Sequence, residues 1–103
     1  VANQEIFTAL ADPTRRCIFE ALREHPMSVG EIAAEQPVSR PAVSQHLKVL
    51  VDAKLVSAKA EGTKRFYSIR REGLLALREY LDSFWSDALS AYSAEVAKQM
   101  RTN

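Results

Sequence analysis

The sequence predicts a mainly α-helical fold with one small β-hairpin: about five helices and two strands. Three observations carry this. Apolar residues recur at three- and four-residue spacing in five separate stretches. Residues 56–69 instead alternate in polarity around Glu61-Gly62-Thr63-Lys64, a turn sequence. Cap-forming Asp or Ser, followed by Pro or by Glu three residues on, stands before three of the helical stretches. At 103 residues, 47% hydrophobic and 26% charged, the chain fits one domain, residues 1–103, with a modest core. No apolar run is long enough for a membrane span and no signal peptide is visible, so a cytoplasmic protein is expected. The first residue is Val, which suggests a processed or trimmed start. The single cysteine, Cys17, forms no intrachain disulfide and fits a reducing compartment.

The first helix is expected over residues 3–11, with Ile6, Phe7 and Leu10 on its apolar face. Asp12 then caps a second helix, 13–24, and Pro13 takes its first position, where a missing N–H costs nothing. Ile18, Phe19, Ala21 and Leu22 are its core candidates, and Pro26 follows its end. Ser28-Val29-Gly30-Glu31 is a capping box for a short third helix, 29–35. Pro37 stiffens a tight connector. Ser39 caps a fourth helix, 40–53, in which Val43, Leu47, Leu50 and Val51 make one buried stripe. Two helices joined by so short a turn form a helix-turn-helix candidate. The hairpin 56–69 follows directly, with Lys59, Lys64 and Arg65 clustered at its tip, as a wing would have them. A last helix spans 72–98, with Arg101 to Asn103 expected to fray. Its stripe of Leu74, Leu77, Leu81, Phe84, Ala88 and Tyr92, widened by Trp85, Leu89 and Val96, is too long for this domain to cover. A second copy of the chain is the expected cover.

The polar face of the fourth helix carries Arg40, Ser44, Gln45 and Lys48, with His46 at its flank and no acid. Gln can pair with adenine and Arg or Lys with guanine, so this face suits a DNA major groove. The plain alternative is a solvated surface helix. Charge distribution separates the two readings. Residues 40–71 hold eight Lys or Arg against Asp52 and Glu61, a net of +6, while the rest of the chain is net −5. A basic block on an acidic chain is the footprint of a polyanion binder.

With Ala9-Leu10-Ala11-Asp12-Pro13-Thr14-Arg15-Arg16, the run Ser39 to Leu50, and Gly62-Thr63-Lys64-Arg65-Phe66-Tyr67, the chain resembles the ArsR-type winged helix-turn-helix repressors from about Ile6 to Trp85. The resemblance implies a homodimer joined through its first and last helices, with Ile6, Phe7, Leu10, Leu81, Phe84, Trp85 and Leu89 at the joint. It implies a transcriptional repressor, often of its own operon, that leaves double-stranded operator DNA when an effector binds. It carries DNA contact onto Ser39, Arg40, Ser44, Gln45, His46 and Lys48, and onto Thr63, Lys64 and Arg65 at the wing tip. Lys59 joins them by its place in the basic cluster.

Many members of that family sense metals through paired cysteines or through histidines on the last helix. Here residues 27–36 hold no cysteine, the last helix has Asp82, Asp87 and Glu95 but no histidine, and His25 and His46 are the only histidines. A soft-metal site needs several thiolate or imidazole ligands together. The expectation is a regulator that senses no metal, uses no cofactor and has an effector the sequence does not identify. Cys17 is expected as a buried thiol, and His25 as a solvated or helix-end residue. His46 either contacts phosphate or flanks the groove. No nucleophile pairing, phosphate-binding glycine loop or paired carboxylate pocket suggests an enzyme. The competing class is a dimeric winged-helix protein-interaction module, against which the cations of 59–71 argue.

Overall fold

The computed structural model describes residues 2–102, and the side chains of residues 3–101. The elements run α1 (Ala2–Ala11), α2 (Pro13–Ala21), β1 (Met27–Ser28), α3 (Val29–Glu35), α4 (Arg40–Asp52), β2 (Val56–Glu61), β3 (Lys64–Ile69) and α5 (Arg71–Thr102). The helices form where the caps place them. Asp12 accepts a hydrogen bond from the Arg15 N–H at 2.9 Å, with Pro13 beginning α2. Ser28 and Glu31 close a reciprocal capping box, at 3.2 Å and 3.0 Å. Ser39 accepts from the Ala42 N–H at 3.3 Å.

The motif Ala9–Arg16 is a double cap. While Asp12 starts α2, the guanidinium of Arg15 donates to the carbonyls of Ala9 (2.6 Å) and Thr8 (3.2 Å). Arg16 donates to those of Leu10 (3.0 Å) and Ala11 (3.4 Å). The last carbonyls of a helix have no partner within it, and a cation there also opposes the helix dipole. One eight-residue run thus ends α1 and starts α2.

The core is built around α4. Val43, Leu47 and Leu50 are fully buried, and Ile6, Ile18, Ile32, Leu55 and Val56 close over them. α1, α2, α3 and β2 all pack on this helix. It ends in a Schellman motif: the Leu55 N–H donates to Leu50 (3.0 Å) and the Lys54 N–H to Val51 (2.9 Å). Lys54 takes the left-handed position, φ 63°, that glycine usually occupies. α5 starts on this turn. The Arg70 N–H donates to the Leu55 carbonyl at 2.8 Å, and Gly73 lies so close that a Cβ there would fall inside contact distance of the Lys54 carbonyl oxygen.

The wing is broader than expected. Met27–Ser28 pairs antiparallel with β3, Met27 opposite Tyr67 and Ser28 opposite Phe66, giving a three-stranded sheet in the order β1-β3-β2. A two-residue strand carries no alternation to read; it exists because β3 offers an open edge. Glu61 faces Lys64 across Gly62-Thr63, and Gly62 at φ 61° supplies the left-handed residue that such a tight hairpin needs. Ala58 and Ala60, which alternate like core residues, are exposed because the hairpin projects past the core.

Other expectations are corrected. α2 ends at Ala21, short of Glu24, because Leu22 and Arg23 turn back onto Phe19 and Glu20. α4 ends at Asp52, with Ala53 as its cap. Cys17 is exposed, since Ile18 and Leu22 occupy the inward face of α2. His25, by contrast, is exposed as expected, and its Nδ1 donates to the Pro26 carbonyl at 2.9 Å beyond the end of α2. α5 extends past Lys98 to Thr102; Asn103 lies outside the described residues.

Lys54→Gly is expected to raise the unfolding free energy by about 0.5–1 kcal/mol by relieving the left-handed backbone. Gly73→Ala is expected to lower stability although alanine favours a helix by about 1 kcal/mol. Denaturant titration of the two variants checks both signs.

Candidate nucleic-acid interface

Burial of one side of α4 dictates what the other side presents. With Val43, Leu47 and Leu50 turned inward, Ser44, Gln45 and Lys48 are exposed on the opposite face. Ser39 and Arg40 are exposed at its start. The face is narrower than the sequence suggests. His46 is half-buried and close enough to Asp12 to help hold that carboxyl below the usual range, behind the larger effect of the Arg15 N–H bond. Arg40 turns away toward α3: a Cβ on Gly30 would lie 3.1 Å from its Nη2 and 3.4 Å from its Cζ.

The wing supplies a second cationic edge. Lys59, Thr63, Lys64 and Arg65 are all exposed. The hairpin's attitude relative to the helix-turn-helix is set by Ser28, which caps α3 through its side chain and pairs with Phe66 through its backbone. One residue thereby belongs to both the α3 start and the wing sheet. Ser28 also holds the Glu31 carboxyl below the usual range, through its N–H first and its hydroxyl second, with smaller help from the charges of His25 and Lys64. The ion pairs among the described residues, Arg70–Glu72 (3.5 Å) and Arg78–Asp82 (3.7 Å), involve none of the cations on this face. The charge is therefore available to a partner.

The residues expected at a subunit joint divide. Ile6 is 2% exposed and belongs to the protomer's own core, and Leu10 is half-buried against it. Phe7 stays 41% exposed and meets Tyr80 edge-on at 5.2 Å, and Tyr80 meets Phe84 at 4.9 Å. Tyr80 was not a candidate, although its place one turn before Phe84 was a usable signal. Leu81, Phe84, Trp85 and Leu89 are each more than half exposed. α5, 32 residues and so roughly 48 Å long, outruns the domain. The radius of gyration is 19.1 Å, against roughly 13 Å for a compact chain of this length.

A helix-turn-helix followed directly by a basic hairpin defines a winged-helix DNA-binding protein. A family profile for a helix-turn-helix domain matches residues 10–57. The chain is 56% identical over 85 residues to the HTH-type transcriptional regulator Rv2034 of Mycobacterium tuberculosis, spanning 82% of this chain and 79% of that protein. It is 38% identical over 64 residues to the transcriptional repressor SdpR of Bacillus subtilis, spanning 62% and 71%. Its fold is similar, with TM-score 0.69 and 26% identity over 85% of this chain and 82% of the other, to the homodimeric winged helix-turn-helix DNA-binding domain of a Mycobacterium bovis protein described as a possible ArsR-family transcriptional regulator. The chain belongs to the ArsR-type family of winged helix-turn-helix transcriptional regulators.

The depressed Glu31 carboxyl has a stability consequence. Its contribution is complete above the ordinary glutamate value and is lost as pH falls through the lowered one. The melting-temperature gap between wild type and Glu31→Ala should hold constant from pH 8 to 6 and close below about pH 4, as thermal unfolding followed by circular dichroism would record.

Proposed function

We propose that two copies of the chain bind a two-half-site operator and repress transcription from it, including that of their own promoter. The observation that carries this is the outward face of Ser44, Gln45 and Lys48 on α4, followed in the chain by a hairpin whose Lys64 and Arg65 are also exposed. In this reading α4 enters the major groove, Gln45 and Ser44 contact base edges, and Lys48 and the wing cations contact phosphates. Ser39, Thr63 and Lys59 flank the same strand, and His46 lies at the edge of the contact. Phosphate contacts by the cations supply most of the affinity, and hence a steep salt dependence. The repressor role rests on the relationship to SdpR.

The second copy covers the exposed Phe7, Leu81, Phe84, Trp85 and Leu89, an arrangement supported by the homodimeric relative. A two-fold axis through α5 would place the two recognition helices about one DNA turn, roughly 34 Å, apart. The protein works without bound metal in this reading. Among the described residues no three His, Cys, Asp or Glu side chains come together, and no helix is long and apolar enough to cross a membrane. The cytoplasm is the proposed site of action because the partner is duplex DNA.

Lys64→Ala is expected to weaken operator and unrelated duplex about equally. Gln45→Ala is expected to relax the sequence preference, at about 1–3 kcal/mol for the position it reads. Fluorescence anisotropy against an operator selected from genomic fragments measures both, and an unchanged preference in Gln45→Ala removes that residue from base reading. Zinc or arsenite at stoichiometric amounts should leave the binding curve unmoved. Trp85→Glu should convert a dimer to a monomer in sedimentation velocity and lower operator affinity at least tenfold; a persistent dimer would displace the joint from α5.

A further inference from the structure

A hollow of about 470 Å³ lies between the start of α3, the start of α4 and the turn end of β3 in the wing. Its lining includes Arg40, Lys64 and Arg65, with Gly30 and Ala34 as small residues and Glu31 as the one carboxylate. The cations come from two places in the chain, Arg40 from α4 and the adjacent Lys64 and Arg65 from β3, and no ion pair among the described residues occupies any of them. Glu31 stays in the lining, with its Oε1 accepting from the Ser28 N–H at 3.0 Å. We infer that this hollow seats a DNA backbone phosphate, that Arg40 is its central ligand and a phosphate contact only, and that Gly30 is a positioning residue which lets the guanidinium lie against α3.

The argument starts from the direction of Arg40. As the first residue of the recognition helix it looks like a base reader by sequence. Instead its guanidinium rests against the Gly30 backbone, where any Cβ would meet Nη2 at 3.1 Å. That position turns it away from Ser44, Gln45 and Lys48 and into the space shared with Lys64 and Arg65. A guanidinium fork offers two parallel N–H donors matched to a pair of phosphate oxygens, and Lys64 and Arg65 add positive charge to the same hollow. A duplex strand running between a helix in the major groove and the wing passes this hollow. Gly30 and Ala34 leave room for the strand itself.

The inference rests on the operator reading above, and the experiment separates the two. Wild type, Arg40→Ala, Gly30→Leu and the double variant are titrated with the selected operator and with a shuffled duplex from low to moderate salt. Single-base operator variants give the base preference, and thermal melts confirm folding. Arg40→Ala should weaken both duplexes by the same factor, tenfold or more for a dimer. It should make the logarithmic salt dependence shallower by about two, one contact per protomer, and leave base preference unchanged. Gly30→Leu should do the same, and the double variant should be no weaker than Arg40→Ala alone, because both changes remove one contact. A shifted base preference or an unchanged salt slope in Arg40→Ala overturns the phosphate assignment. Losses that multiply in the double variant overturn the role of Gly30. Gly30→Val, a smaller change that still places a branched side chain against the guanidinium, applies the same test should Gly30→Leu fold poorly. Wild type that binds neither duplex sinks the operator reading itself.

Discussion

The inward stripe of α4 is the constraint from which the rest of the molecule follows. Val43, Leu47 and Leu50 have no solvent contact, and α1, α2, α3 and β2 are packed around them. Rolling the helix by one residue would expose about one large side chain of apolar area and bury a lysine or glutamine without a partner, which is costly on both counts. The polar face is therefore held at a fixed angle by packing on the other side. A recognition surface needs this more than it needs any single contact, since base reading fails when donors move by an ångström or so.

The wing is fixed by a different device. A two-stranded hairpin alone is marginal in water. Here β1 adds a third strand, and its Ser28 is also the cap of α3. The hairpin cannot swing without breaking the pairing of β3 with Met27–Ser28. At the far end, the Schellman turn at Lys54 carries the Arg70 bond and the Gly73 contact, so α5 is seated on the end of the recognition helix. The aromatic run Phe7–Tyr80–Phe84 ties α1 to α5 within the same chain.

The sequence by itself determined the helix starts, the inward stripe of α4, the turn at Gly62-Thr63 and the concentration of cations in residues 40–71. These are local properties. A cap acts within three residues, a stripe repeats every three or four, and a tight turn needs its left-handed residue in place. The family resemblance was legible for the same reason, because its motifs are runs of such local signals.

Tertiary structure decided what depends on which neighbour fills a space. The pairing of Met27–Ser28 with β3 has no pattern of its own. Cys17 faces water because Ile18 and Leu22 claim the inward side of α2, while Ile6 sits in the protomer's core rather than at a joint. Arg40 and Ser44 lie four residues apart on one helix and both are exposed, yet the Arg40 guanidinium ends beside Gly30 of α3. Periodicity gives the direction of a Cβ; where a long side chain ends is settled by the surfaces brought against it from elsewhere in the chain.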